Sequence, residues 1–107
     1  MIIKYNIDVD QEIIKSNLLR ITKQIYKLLP MREEGVDWIK PLETIMVELA
    51  GVKRLMVGIN EEDFFTLFSK LEGLFTLTNK EDFMLYRRMI FECLGILNVI
   101  VDDITKS

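Results

Sequence analysis

The chain has 107 residues, half of them hydrophobic, which fits one domain over residues 1–107 with a single core. Its net charge of −3 argues against a nucleic-acid-binding protein, because such domains normally carry a basic excess. With no histidine and one cysteine, Cys93, the chain lacks a His-based catalytic pair, the ligands of a His or Cys zinc site, and any intrachain disulfide.

The N-terminal third predicts a helix preceded by a short extended segment. Residues 1–6, MIIKYN, could form a strand or an extended arm, after which Asp8 and Gln11 match a capping box. Apolar residues then follow at alternating steps of four and three, the spacing of one helical face: Ile14, Leu18, Ile21, Ile25 and Leu28. We therefore predict a first helix over residues 9–29, ended by Pro30, which has no backbone N–H.

The same spacing predicts two further helices. The second covers residues 38–56, with Asp37 as its N-cap, although Gly51 could end it early. Its apolar positions are Trp38, Leu42, Ile45, Leu49, Val52 and Met56. The third helix covers residues 61–77 and follows the capping residue Asn60. Its core positions are Phe64, Phe68, Leu71 and Phe75.

The fourth predicted helix, residues 80–104, contains the longest apolar run of the chain, from Met89 to Val101. At the helical angle per residue, polar side chains occupy about 120° of its circumference and apolar ones about 240°. An outer helix of a bundle needs a narrower apolar face. This helix is therefore either the central helix of the domain or is covered twice, by its own bundle and by a partner.

Four helices with short connections predict an all-α, antiparallel four-helix bundle. No apolar run reaches the roughly 18 residues needed to span a bilayer, and the first ten residues lack the apolar region of a signal peptide. We expect a cytoplasmic protein without membrane association.

No sequence motif predicts catalysis or a cofactor. Cys93 lies within the apolar run, where a buried thiol is inert. The five glycines are isolated and form no phosphate-binding loop, so we expect no nucleotide or other cofactor.

Two acidic clusters are the remaining candidates for a divalent-metal site, Glu33 with Glu34 and Asp37, and Glu61 to Asp63. The first loosely resembles the EExxE half of the metal-binding motif of MazG-type nucleotide pyrophosphohydrolases. The ExxD half of that motif does not follow at a suitable distance, so we reject the match. We interpret both clusters as acidic caps at helix N-termini.

The one local basic feature lies on the polar side of the first predicted helix: Lys15, Arg20, Lys23 and Lys27. These cations could contact phosphate or an acidic protein surface. Alternatively they form a solvated face that suits the helix dipole. The absence of aromatic residues within this stripe favours the solvated face.

The leading hypothesis is a non-enzymatic protein–protein interaction protein: a small regulator, an inhibitor such as a phage anti-defence factor, or an assembly factor. It would act as a homo-oligomer or on a protein partner through apolar helical surfaces. The predicted interface residues are Met46, Met56, Ile90, Leu97 and Ile100. The alternative is a nucleic-acid-associated regulator that uses the basic stripe, and a divalent-metal-dependent hydrolase is the least favoured hypothesis.

Overall fold

The computed structural model describes residues 11–56 and 58–106, which contain four α-helices and no strand. The helices are α1 (Gln11–Glu33), α2 (Ile39–Leu55), α3 (Glu61–Leu74) and α4 (Phe83–Lys106), and one 3₁₀ turn, Lys80–Asp82, precedes α4. Each helix packs antiparallel to the next, α4 returns alongside α1, and α2 and α3 have the least contact. The predicted all-α, four-helix bundle-like fold is confirmed. The predicted extended segment and the Asp8 cap lie outside the described residues.

The core is built from one buried stripe on each helix, and no polar or charged residue among those described is buried with it. The stripe predicted for α1 is buried in full. The other helices contribute Leu42, Ile45, Leu49 and Val52 from α2, Phe64, Leu67, Leu71 and Leu74 from α3, and Tyr86, Ile90, Cys93, Leu97, Ile100, Val101 and Ile104 from α4. Each such side chain contributes roughly 1.5–3 kcal/mol through removal of apolar surface from water.

Hydrogen bonds at both ends hold α1 against α4. At one end the Gln11 amide Nε2 donates to the backbone carbonyl of Ile104 at 2.6 Å. At the other end the Tyr86 hydroxyl donates to the backbone carbonyl of Leu28 at 3.4 Å. Because the two bonds lie at opposite ends of the pair, they set the register in which α1 and α4 face each other.

Arg32 joins four segments at one end of the bundle. Its guanidinium Cζ lies 4.6 Å from the ring centroid of Tyr86, 5.5 Å from that of Phe83 and 5.8 Å from that of Trp38. One guanidinium nitrogen, Nη2, also donates to the backbone carbonyls of Leu77 at 2.5 Å and Asn79 at 2.8 Å. The end of α1, the start of α2, the α3–α4 connection and the start of α4 thus meet at one side chain.

The α2–α3 turn is tied to the last turns of α4 by Asn60. This residue precedes α3, as predicted for its cap, and adopts a left-handed backbone with φ of 54°. Its side-chain nitrogen Nδ2 does not cap the helix backbone but donates to Oδ2 of Asp63 at 2.9 Å and to Oδ2 of Asp103 at 2.7 Å. The predicted position of the cap is therefore right, while its bonding partners are side chains.

Several helix ends differ from the prediction, and α4 begins at Phe83 rather than at residue 80 because Lys80–Asp82 form the 3₁₀ turn. The helix α1 continues past Pro30 to Glu33, because a proline in the exposed last turn costs only one N–H. Gly35 follows the helix end with a φ of 74°, and the Val36 N–H donates to the Met31 carbonyl at 2.8 Å, which is a Schellman-type end. The helix α3 ends at Leu74 rather than residue 77, since the last turn tightens to 3₁₀-type bonds. Gly51 does not end α2.

Truncation of a buried α4 residue tests this core assignment. We expect Leu97→Ala, at a residue with 0% exposure, to lower the free energy of unfolding by about 2–5 kcal/mol in chemical denaturation, because it leaves a cavity. The matched control is Val99→Ala, two residues along at 48% exposure, which should change it by less than about 0.5 kcal/mol. Equal effects would contradict the assignment.

Replacement of Arg32 tests whether its contacts with the four segments at the end of the bundle stabilise the fold. Arg32→Met keeps an unbranched apolar chain but removes the donors to two carbonyls and the cation between three rings. We expect a loss of roughly 1–3 kcal/mol in the free energy of unfolding. Arg88→Met, at an exposed arginine of α4, is the control and should be near neutral. An unchanged free energy of unfolding in Arg32→Met would show that the Arg32 contacts do not stabilise the fold.

Candidate functional site

The structure places the predicted interface residues in the core or at its edge. Met56, Ile90, Leu97 and Ile100 are fully buried, and Met46 is partly buried against the same core. A partner could contact the four buried side chains only if the bundle opened. The apolar sequence pattern identified these helical faces, but the chain itself covers them.

Other residues supply the apolar surface of the described chain. The exposed large hydrophobic side chains within residues 11–56 and 58–106 are Ile13, Leu19, Tyr26, Val36, Val47, Phe65, Met84, Leu85, Phe91 and Val99. On α4 these side chains lie on the side away from the core and are exposed among the described residues. An exposed apolar group matters for binding only where several lie together, since isolated ones are common on any protein surface.

Two exposed aromatic rings meet where α1 and α4 lie side by side. The rings of Tyr26, 54% exposed, and Phe91, 43% exposed, make a T-shaped contact with centroids 6.4 Å apart. The guanidinium Cζ of Arg87 lies 5.0 Å from the Phe91 ring centroid. Leu19, also exposed, shares the Tyr26 side of α1 because the two residues are seven positions apart. We call these four residues the α1/α4 surface.

The core explains why the two rings meet. Tyr26 directly follows the core residue Ile25, and Phe91 directly follows the core residue Ile90. Each ring is therefore turned about 100° around its helix from the core direction, which directs it to the edge of the bundle. The register of α1 and α4 brings the two edges to the same height.

The four residues of the predicted basic stripe do not lie in one place on the surface. Lys15 and Lys23 line a shallow depression on the outer side of α1 together with Leu19, which belongs to the α1/α4 surface. Arg20 also borders that depression, but its guanidinium pairs with the Glu48 carboxylate of α2 at 3.1 Å. Lys27 lines a different depression, between α1 and α2. Two of the four predicted cations thus lie beside Leu19, one residue of the α1/α4 surface.

Cations outnumber carboxylates in the depression that Lys15 and Lys23 line, which Glu12 and Arg20 also line. Lys15, Lys23 and Arg87 take part in none of the ion pairs found among the described residues. The Arg87 guanidinium lies against the Phe91 ring, and the two lysines lie beside Leu19 in a depression that Glu12 also lines. An aromatic pair with neighbouring cations can bind a surface that combines apolar side chains with carboxylates.

Only some of the residues in the two acidic clusters lie at helix N-termini. Glu61 to Asp63 form the first turn of α3, where they suit the helix dipole, and Asp37 Oδ1 accepts the Ile39 N–H at 2.9 Å at the start of α2. Glu33, however, is the last residue of α1 and Glu34 follows it, so our N-terminal cap interpretation was wrong for this pair. Among the described residues no group of three or more metal-ligating side chains comes together.

The Cys93 thiol is fully buried in the core. Burial raises the pKa of Cys93 from 9.0 to about 12; the Glu92 carboxylate adds to this effect and the Lys70 ammonium opposes it. Because the thiolate is the nucleophile, this thiol is unreactive at neutral pH, as the sequence predicted.

Comparisons with known proteins give no match. No protein-family model, curated protein or solved structure matches this chain. None of the helices within the described ranges is long and apolar enough to cross a membrane.

Titration tests the environment of Cys93. The folded state holds the thiol proton more tightly than the unfolded state, so Cys93 stabilises the fold fully below pH 9 and progressively less as the pH rises from 9 toward 12. We expect the free energy of unfolding to fall more steeply with pH between 8.5 and about 11 in the wild type than in Cys93→Ala. Identical slopes would contradict the burial of a protonated thiol. The Tyr86 hydroxyl, whose pKa burial also raises, contributes equally to both proteins.

Proposed function

We propose that this chain is a non-enzymatic protein-binding protein, acting as a small regulator, inhibitor or assembly factor, and that its α1/α4 surface binds an acidic protein partner. The observation that supports the proposal is the contact of two exposed aromatic rings, Tyr26 and Phe91, with Arg87 beside them. Tyrosine and arginine are enriched among the residues that dominate binding energy at protein interfaces.

The arrangement of the groups suggests what the partner presents. Arg87 is held near the Phe91 ring, and its donors can bind a carboxylate while the ring contact is kept. Lys15 and Lys23 lie along α1 beside Leu19, in a depression that the single carboxylate Glu12 also lines. The complementary surface has apolar side chains at its centre, for Leu19 and the two rings, and Asp or Glu residues around them.

A nucleic-acid-associated regulator is the second candidate. Cations beside aromatic rings are also what proteins use to bind single strands, through phosphate contacts and base stacking. Two observations favour a protein partner. The guanidinium of Arg87 already lies against the Phe91 ring, which limits stacking of a base there, and the chain as a whole has a net charge of −3.

Paired variants of α4 test the proposal. Immobilised wild type and Phe91→Ala would be incubated with nuclease-treated extract of the cells that encode the chain, and the retained proteins quantified by mass spectrometry. The control is Leu85→Ala, on the same helix with 42% exposure against 43% for Phe91, but turned about 120° away. We expect an acidic protein that is retained by wild type and Leu85→Ala and depleted about tenfold or more by Phe91→Ala.

A second measurement separates the two candidate functions. The retained protein, once purified, should bind wild type more tightly than Arg87→Glu, because charge reversal at the surface repels carboxylates. Retention of nucleic acid from untreated extract, lost as salt rises and weakened by Lys23→Glu, would instead support the nucleic-acid candidate. Equal retention by all variants would contradict any role of the α1/α4 surface.

A further inference from the structure

One side of α4 faces away from the core and is left exposed by the described residues. Gly95 lies two residues from each of the core residues Cys93 and Leu97, and a step of two residues turns about 200° around a helix. Gly95 therefore faces directly away from the core. Arg88 and Asp102, each seven residues or about two turns from Gly95, lie on the same side. All three are exposed, and we call them the outer α4 face.

The neighbouring helices lie on either side of this face without covering it. On one flank of α4 the Phe91 ring contacts the Tyr26 ring of α1. On the other flank Glu92 Oε1 lies 2.9 Å from Lys70 Nζ of α3. At the helical angle per residue, Gly95 points between the directions of Phe91 and Glu92. The outer α4 face is therefore a separate side of the helix, turned toward solvent.

The charges of the outer α4 face are placed symmetrically about Gly95. Arg88 lies seven residues before it and Asp102 seven residues after it, which is about 10 Å in each direction along the helix axis. Neither side chain takes part in the ion pairs found among the described residues. The order is the reverse of the one that the helix dipole favours, since the cation lies toward the N-terminus. An antiparallel copy of α4 complements this order.

Gly95 lets a second helix approach this face closely. Glycine disfavours a helix interior relative to alanine, yet Gly95 lies in the middle of α4. A Cβ atom at this position would meet no atom within 4 Å, so packing within the chain does not require a glycine. The distance between two packed helices depends on the side chains at their contact, and at Gly95 there is none.

We propose that the outer α4 face binds a second copy of this chain in a symmetric, antiparallel dimer. The two-fold axis passes between the two α4 helices at the height of Gly95 and is perpendicular to them. It brings Arg88 to the height of Asp102 of the partner subunit, and the symmetry repeats this pair. The guanidinium of each Arg88 can then donate to a carboxylate.

Phe91 and Val99 supply the apolar contact of this dimer. They are 43% and 48% exposed, and they lie about one turn before and after Gly95, turned roughly 40° to either side of it. The two-fold axis brings Phe91 to the height of Val99 of the partner subunit. Because Phe91 also belongs to the α1/α4 surface, a second copy and the proposed acidic partner exclude each other at this ring. The dimer itself does not depend on the proposed function.

A matched pair of glycine variants tests the dimer. Molar mass would be measured by light scattering on the purified chain alone, over a range of concentrations. Gly95→Gln is compared with Gly51→Gln, at an exposed glycine of α2 where a Cβ atom would also meet nothing within 4 Å. Both variants should fold, because glutamine favours a helix over glycine. We expect a wild-type dimer whose dissociation constant rises about tenfold or more in Gly95→Gln and is unchanged in Gly51→Gln.

A charge exchange tests the antiparallel orientation. Arg88→Glu and Asp102→Arg each create two like-charge contacts in the dimer, so each should raise the dissociation constant about tenfold. The double variant exchanges the charges and restores both pairs, so it should recover most of the dimer. Circular dichroism would verify that every variant keeps its helix content, as expected for substitutions at exposed positions.

These measurements use the chain without a partner, so failure of the proposed function does not affect them. A monomer at all concentrations would overturn the proposal, and so would a dimer that Gly95→Gln and Gly51→Gln affect equally. A double charge variant that stays monomeric would contradict the antiparallel arrangement. Unfolding measured below the dissociation constant involves the monomer, in which Arg88→Met and Val99→Ala remain near neutral.

Discussion

The antiparallel pairing of α1 with α4 is the constraint on which the other features depend. These are the two longest helices, and hydrogen bonds from Gln11 to Ile104 and from Tyr86 to Leu28 hold them at opposite ends. Arg32 then attaches the start of α2 and the α3–α4 connection to one end of this pair. Because the register is fixed, α2 packs on the free side of α1 and α3 on the free side of α4.

The same constraint places the α1/α4 surface. It lies where the two longest helices meet, whereas the shorter helices α2 and α3 have the least contact with each other. The exposed rings of this surface therefore stand on the helix pair with the most extensive contact among the described residues.

The helices could be predicted from the sequence because apolar spacing is a local signal. The buried stripe of α1 follows its four-and-three pattern, and only the end of the helix differs, because α1 continues past Pro30 to Glu33. The proposed binding surface could not be predicted in this way. The meeting of Tyr26 with Phe91, and of Arg32 with its three rings, depends on the register between helices distant in sequence. The apolar pattern of α4 also does not show which neighbour covers each side chain. Ile90 and Leu97 were therefore predicted at an interface, whereas the structure buries both in the core.

Contacts between the Tyr26 and Phe91 ring protons in solution test most directly whether the α1–α4 register builds the proposed surface. In a nuclear Overhauser spectrum we expect cross-peaks between the two rings, since their centroids are 6.4 Å apart with the edge of one directed at the other. Cross-peaks between Tyr86 and Leu28 in the same spectrum would show that the pair is folded. Their presence without the Tyr26–Phe91 contacts would contradict the account.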